Sequence, residues 1–476
     1  MKNFVISLLL AMFFPVMAHP QLRLPHILSD NMVLQANQPA RLWGWAKPGA
    51  TVTIKASWLI KPVTAKTAPD GKWTAALNTP PASYKPLTIT FASAGKTITL
   101  RNILSGEVWV CAGQSNMEMP IEGFGDCPVE GYTETVIDAR TRSSIRFVKI
   151  PSIMRTTPQD DADCSWEATD MESVNRVSAT GYFFAHLLTR ALDIPIGLIL
   201  ANKGGTRVES WLTQENLQRH TTEPLDSAAM VQAYPLDYHR PLLWGNGTFH
   251  PILNYTVRGI IYYQGCSNVG DPGNRYSERL ALLASQWRTQ FRLGDIPFYF
   301  VEIAPFWYDN TSGIAGALLR EQQRRAATLI PNSALVCTND LVYDYELKQI
   351  HPCRKRPVGE RLALHALAKT YRQKGIIADS PYAASWRFSR DTCYVTLADH
   401  FHCVNRQYGI EGFELAGPDS VFHPATATYM WDKGVTVTSP EVPNPIAVRY
   451  CFRNFAPGNL KNKAHLPLFP FRSDNW

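Results

Sequence analysis

Six short apolar runs, at residues 108–111, 145–149, 196–201, 257–263, 298–302 and 334–338, constrain this chain more than anything else in it. Between them lie stretches of helical periodicity, notably 179–192, 276–291 and 315–328. A strand that is apolar at every residue, rather than at every second one, must be covered on both faces, and the intervening helices supply the cover. The alternation predicts an α/β region with a parallel sheet across residues 105–377. Sheets of this kind place their chemistry at the carboxyl ends of the strands.

The flanks read differently. Residues 19–104 carry short β-prone runs such as Thr51-Val52-Thr53-Ile54, with turns at Pro48-Gly49 and Asp70-Gly71, and predict an N-terminal β-domain. Residues 378–476 return to strands at 393–397, 412–417, 434–438 and 446–450. The 34 Pro and 13 Trp residues fit β-rich modules joined by long structured loops. The net charge of +7 forms no Lys/Arg stripe, which argues against a nucleic-acid partner while leaving room for an anionic substrate. Residues 1–18 combine Lys2, an apolar stretch and Val16-Met17-Ala18, the pattern of a signal peptide cleaved near Ala18. The expectation is an exported protein, periplasmic or secreted, with no membrane span. Nine cysteines leave at least one thiol unpaired; Cys393 and Cys403, which bracket a strand and turn, are the candidate disulfide. Zinc is not expected, because His351-Pro352-Cys353 lacks a second ligand pair. The oligomeric state is left open.

Four motifs stand at or after the apolar runs. The first run empties into Gly113-Gln114-Ser115-Asn116-Met117, placing a serine at a strand end with a helix to follow. It is not a nucleophile elbow, since Asn116 and Met117 stand where that pattern needs a second glycine. Gly204-Gly205-Thr206-Arg207 follows the third run, and paired glycines let a bare backbone N–H face a reaction centre. Gln264-Gly265-Cys266-Ser267-Asn268 follows the fourth; Asn268 can aim an amide N–H at an oxyanion or simply cap a helix. His351, on a loop before a helix, is the natural base for Ser115.

These segments resemble the sialate O-acetylesterase family of the SGNH hydrolases. The likeness also takes in Glu209, Trp211, Lys355, Gly359, Leu319-Arg320-Glu321 with Gln323, the 412–417 segment and the terminal Pro470-Phe471-Arg472-Ser473-Asp474-Asn475-Trp476. The resemblance implies a flavodoxin-like three-layer α/β/α esterase domain flanked by β-rich regions, with no metal or cofactor. It implies Ser115 as nucleophile, His351 as base, and an oxyanion hole from the Ser115 and Gly205 N–H groups and the Asn268 amide. The substrate it implies is an O-acetylated sugar, a sialic acid first and acetyl-xylan or another acetylated glycan second. Gln114, Arg207, Glu209 and Gln264 are candidate substrate contacts. Arg207 is suited to a sialate carboxylate, or else to an ion pair with Glu209.

Two positions depart from the family pattern. Gln349 stands where an aspartate commonly precedes the histidine, and Cys266 stands where glutamate is usual. Either Ser115 and His351 act as a dyad, or a carboxylate such as Asp340, Asp344 or Glu346 orients the ring, or the chain is a non-catalytic carbohydrate-binding relative.

Overall fold

The computed structural model describes residues 21–141, 143–308, 313–398, 408–430 and 434–476. The signal-peptide segment and Cys403 lie outside the described residues. All eight cysteines within them, Cys393 included, are free thiols. Among the described residues no helix is long and apolar enough to cross a membrane.

The fold is mixed α/β. Its central sheet runs in the order Ser333–Val336, Phe298–Val301, Gly259–Tyr263, Lys96–Gly113, Ile196–Asn202, Ile145–Lys149, Trp166–Ala168. Neighbours pair parallel throughout, apart from the antiparallel edge strand Trp166–Ala168. The uniformly apolar runs have the expected cause. Val108, Val110 and Ala112 share a core with Leu280, Leu283 and Trp287 of the helix Tyr276–Phe291. The alternate residues Trp109 and Cys111 share another with Phe183 and Phe184 of the helix Ala179–Leu192 and Leu362 of the helix Lys355–His365. Each such side chain contributes about 1.5–3 kcal/mol by leaving water.

The strand Lys96–Gly113 runs straight through the boundary anticipated between residues 104 and 105. Its first half pairs antiparallel with Ser83–Ser93, and residues 104–106 pair parallel with Val33–Gln35. At the junction buried Glu107 accepts hydrogen bonds from Arg258 Nε at 2.6 Å, Tyr371 Oη at 2.9 Å and Gln35 Nε2 at 2.9 Å. At the other end of the chain, two four-stranded antiparallel sheets enclose a separate apolar core that includes Val395, Phe413, Val435 and Tyr450.

Two glycines set the depth at which the helices pack. A Cβ on Gly181 would stand 2.9 Å from Cys111 Sγ, so the helix Ala179–Leu192 sits close on the sheet. A Cβ on Gly359 would stand 2.5 Å from Thr180 O, so the helix Lys355–His365 lies close on that helix in turn. The loop bearing His351 immediately precedes this outer helix.

Candidate active site

Gly113 pairs with Asn202 on one side and Tyr263 on the other, so the turns after three neighbouring strands converge. From Lys96–Gly113 the chain passes to Ile145–Lys149 on one side, and from its other neighbour Gly259–Tyr263 to Phe298–Val301 on the opposite side, so a topological switch point lies between these two strands. Gly113 has φ 135°, and a Cβ there would lie 2.2 Å from Tyr263 O. Gln114 then caps the one-turn helix Ser115–Glu118 in extended conformation. Its N–H donates to Tyr263 O at 2.9 Å, and its Oε1 accepts the Gly265 N–H at 2.7 Å. Ser115 is the first helical residue and is partly exposed, so its own N–H has no intrahelical partner.

Gly204 packs against the serine. A Cβ on Gly204 would stand 3.4 Å from Ser115 Cβ, and the Gly204 N–H donates to Glu118 Oε2 at 2.5 Å. Gly205 follows at φ 77°, where the Tyr238 ring occupies the space a side chain would need.

His351 reaches this centre from a braced loop. Buried Glu346 accepts the N–H groups of Tyr343 at 2.9 Å and Cys353 at 2.7 Å. Asn116, next to the serine, donates to Ile350 O at 2.9 Å and accepts from Lys355 Nζ at 2.7 Å; Lys355 also donates to Pro352 O at 2.7 Å. The two candidate catalytic residues are therefore tied through their sequence neighbours. His351 Nε2 is buried and has no hydrogen-bond partner. Burial lowers the His351 pKa to about 4, the Lys355 ammonium acting in the same sense and Asp126 against it. Burial likewise lowers Lys355 to about 8, with Glu346 opposing. A neutral imidazole with an unengaged nitrogen, a hydroxyl at a helix start and unpartnered backbone N–H groups are the equipment for acyl transfer.

Residues 105–368 match the family model described as carbohydrate esterase, sialic acid-specific acetylesterase. The chain belongs to this family. Human sialate O-acetylesterase is 27% identical over 395 residues, covering 75% of this chain and 73% of its own. The mouse sialate O-acetylesterase is 26% identical over 408 residues, covering 74% of each. The crystal structure of a carbohydrate acetylesterase from Xanthomonas citri superposes with a TM-score of 0.85 at 30% identity, covering 96% of this chain and all of that one. The protein is thus a carbohydrate esterase, a carboxylic-ester hydrolase.

The esterase uses several of its motif residues internally. Arg207 is 7% exposed and forms a two-pronged pair with Glu223 at 3.2 and 3.0 Å, with Glu209 at 3.4 Å and Asp271 at 3.5 Å. Burial works against its charge, but these carboxylates outweigh it and raise its pKa. Its guanidinium is committed to the protein, as the ion-pair reading of the sequence has it. It forms one wall of a cavity of about 800 Å³ also lined by His220, Arg275 and Arg279. Glu209 is fully buried and paired with Arg279. Gln264 donates to Thr206 O at 3.0 Å and Asn268 Oδ1 at 2.8 Å.

Asn268 departs from the expected oxyanion role. Its Oδ1 accepts from Val208 N–H at 3.0 Å, which fixes the amide's orientation, and Nδ2 donates to Glu209 at 2.9 Å and Asp271 at 2.7 Å. Both amide hydrogens are spoken for by carboxylates.

None of the carboxylates nearest in sequence turns toward the His351 ring. Asp340 pairs with Arg361 at 2.7 Å and Lys461 at 2.7 Å, Asp344 is exposed, and Glu346 braces the loop backbone. Gln349 Oε1 accepts the backbone N–H of His351 at 3.2 Å rather than a ring N–H. The ring's neighbours are residues the motifs did not single out. Phe124 meets it edge-on with centroids 5.1 Å apart, and Cys127 Sγ lies 3.7 Å from Nδ1. The only local signal was the turn sequence Gly123-Phe124-Gly125-Asp126-Cys127, and nothing in it points to a histidine 224 residues later.

Proposed function

We propose that this esterase removes O-acetyl groups from sialic acids by a serine acyl-enzyme mechanism. Ser115 Oγ attacks the acetyl carbonyl while His351 Nε2 takes its proton, then returns it to the departing sugar hydroxyl. Water, deprotonated by the same nitrogen, releases acetate from Ser115. The negative oxygen of each tetrahedral intermediate is met by the N–H groups of Ser115 and Gly205. In this reading Asn268 braces the Gly205 turn through Val208. The observation that carries it is the packing of the Gly204-Gly205 turn against Ser115 at the switch point of the sheet, with the His351 loop tied to the serine's neighbour Asn116.

The strand order, with helices on both faces, supports a flavodoxin-like three-layer arrangement of the SGNH type. The β-rich regions at 19–104 and 378–476 flank it, and residues 1–18 serve as an export signal. The sialate preference rests on the family and its mammalian members. A second reading, neutral acetylated glycans such as acetyl-xylan, is favoured by one observation: Arg207 is already neutralised by carboxylates and does not await another.

The test is hydrolysis of p-nitrophenyl acetate, an O-acetylated sialic acid and acetyl-xylan by the parent and by Ser115→Ala. The variant should lose turnover on all three by several orders of magnitude. Parental rates in Ser115→Ala would refute the mechanism, and the ratio of the two glycan rates in the parent decides between the substrates.

A further inference from the structure

We infer that Cys127 is the positioning residue of the catalytic base, its thiol holding the His351 ring at Nδ1 and relaying to it the negative charge of Asp126. This rests on the Ser115–His351 reading above. Gln349 does not fill the role: its Oε1 accepts the His351 backbone N–H, and its side chain bonds the Cys127 thiol rather than the ring. Among the described residues no carboxylate pairs with either ring nitrogen within 4.0 Å.

The device is a small hairpin. Phe124 and Cys127 exchange two backbone hydrogen bonds, at 3.0 and 2.9 Å, around a tip formed by Gly125 and Asp126. Gly123 enters the turn at φ 78°, where a Cβ would lie 2.2 Å from Cys127 O. As a paired couple, Phe124 and Cys127 both meet the imidazole, one by its ring edge and the other by its sulfur. The hairpin is anchored on both sides. Ile121 N–H donates to Val177 O at 2.9 Å, and Glu130 N–H donates to Cys353 O at 3.0 Å, two residues beyond the histidine. Cys127 itself is 3% exposed.

The proton count selects one tautomer. The thiol has a single hydrogen, and Asp126 Oδ1 takes it at 3.2 Å. Sulfur therefore meets the ring only as an acceptor, so Nδ1 carries the imidazole proton. Nε2 is left with its lone pair, and Nε2 is the buried atom without a partner. When His351 becomes imidazolium, Asp126 stands one thiol away as the compensating charge. The charged and titratable groups facing the ring are Asp126 and Cys127 from the hairpin and Lys355 from the following helix.

The experiment uses the full mature chain and p-nitrophenyl acetate, with kcat and KM measured from about pH 3 to 9. The parent is compared with Cys127→Ala, Cys127→Ser, Asp126→Asn and, as references, Ser115→Ala and His351→Ala. Cys127→Ala should lower kcat on the order of tenfold to a hundredfold with KM unchanged, since a wrongly placed or wrongly protonated ring is costly. Cys127→Ser should recover most of this, because a hydroxyl also donates to Asp126 and accepts from Nδ1. Asp126→Asn should move the acid limb of kcat/KM to lower pH, because removing a negative charge disfavours the imidazolium. If Cys127→Ala folds and matches the parent while both reference variants are inactive, the inference fails and the Ser115–His351 reading stands. Should Cys127→Ala fail to fold, an unmoved acid limb in Asp126→Asn, whose site is an exposed hairpin tip, overturns the inference. Parental rates in both reference variants would instead remove the reading beneath it.

Discussion

Gly359→Ala separates catalytic placement from stability. The new Cβ would stand 2.5 Å from Thr180 O, 2.8 Å from Phe183 Cβ and 2.8 Å from Phe184 N. None of these is the tip of a flexible side chain. Ordinary contact begins at 3.4 Å, so the two helices must part by about 0.9 Å (3.4 − 2.5). Overpacking of this kind costs about 1–3 kcal/mol, and the better helix propensity of alanine returns about 1 kcal/mol. The net loss of stability is at most about 2 kcal/mol, which the large core tolerates. The kinetic effect is larger, because the displaced helix carries Lys355 and adjoins His351. A shift of about 1 Å at a base lowers turnover on the order of a hundredfold. Melting followed by circular dichroism, with kcat for p-nitrophenyl acetate at 25 °C, should show a modest change in Tm and a steep fall in kcat. A variant that melts and turns over like the parent would show that this helix crossing does not set the position of the base.

Three further outcomes follow from the electrostatics. With His351 lowered to about 4, kcat/KM should rise as pH increases through about 4 and stay level across neutrality; a midpoint near the ordinary histidine value would contradict the burial argument. The same group binds fewer protons folded than unfolded between about pH 4 and 6.5, so stability should fall as pH drops through that window. Arg207→Ala should destabilise the fold by about 3–5 kcal/mol, because Glu223 loses its cation and Glu209 is left with Arg279 alone, and should slow acetyl-sialate and acetyl-xylan turnover by the same factor. A loss confined to the sialate substrate would return Arg207 to the recognition role.

The strands and the serine turn were legible because their causes are local. Burial on both faces dictates apolar runs, and Ile145–Lys149 and Gly434–Thr438 lie where the sequence placed them. Ser115 was legible because a glycine at a strand end leaves a mark in the text. The boundary near residue 104 was set by the change from β-prone runs to alternation, which conceals that one strand can serve both. What Arg207 and Asn268 bind depends on Glu223 and Asp271, whose proximity is created only by the turns around them. The neighbours of His351 were hidden for the same reason: Cys127 and Phe124 are close to it through a hairpin, and no spacing encodes that approach.

The continuity of Lys96–Gly113 bears on how such a gene can be cut and rejoined. The residues that match the family model begin at 105, inside this strand. A fragment starting there would keep the nucleophile but lose the ladder to Ser83–Ser93 and the Gln35 bond to Glu107. A cut at that point would divide one continuous strand, so swapping the amino-terminal region there would strip the nucleophile's strand of its support.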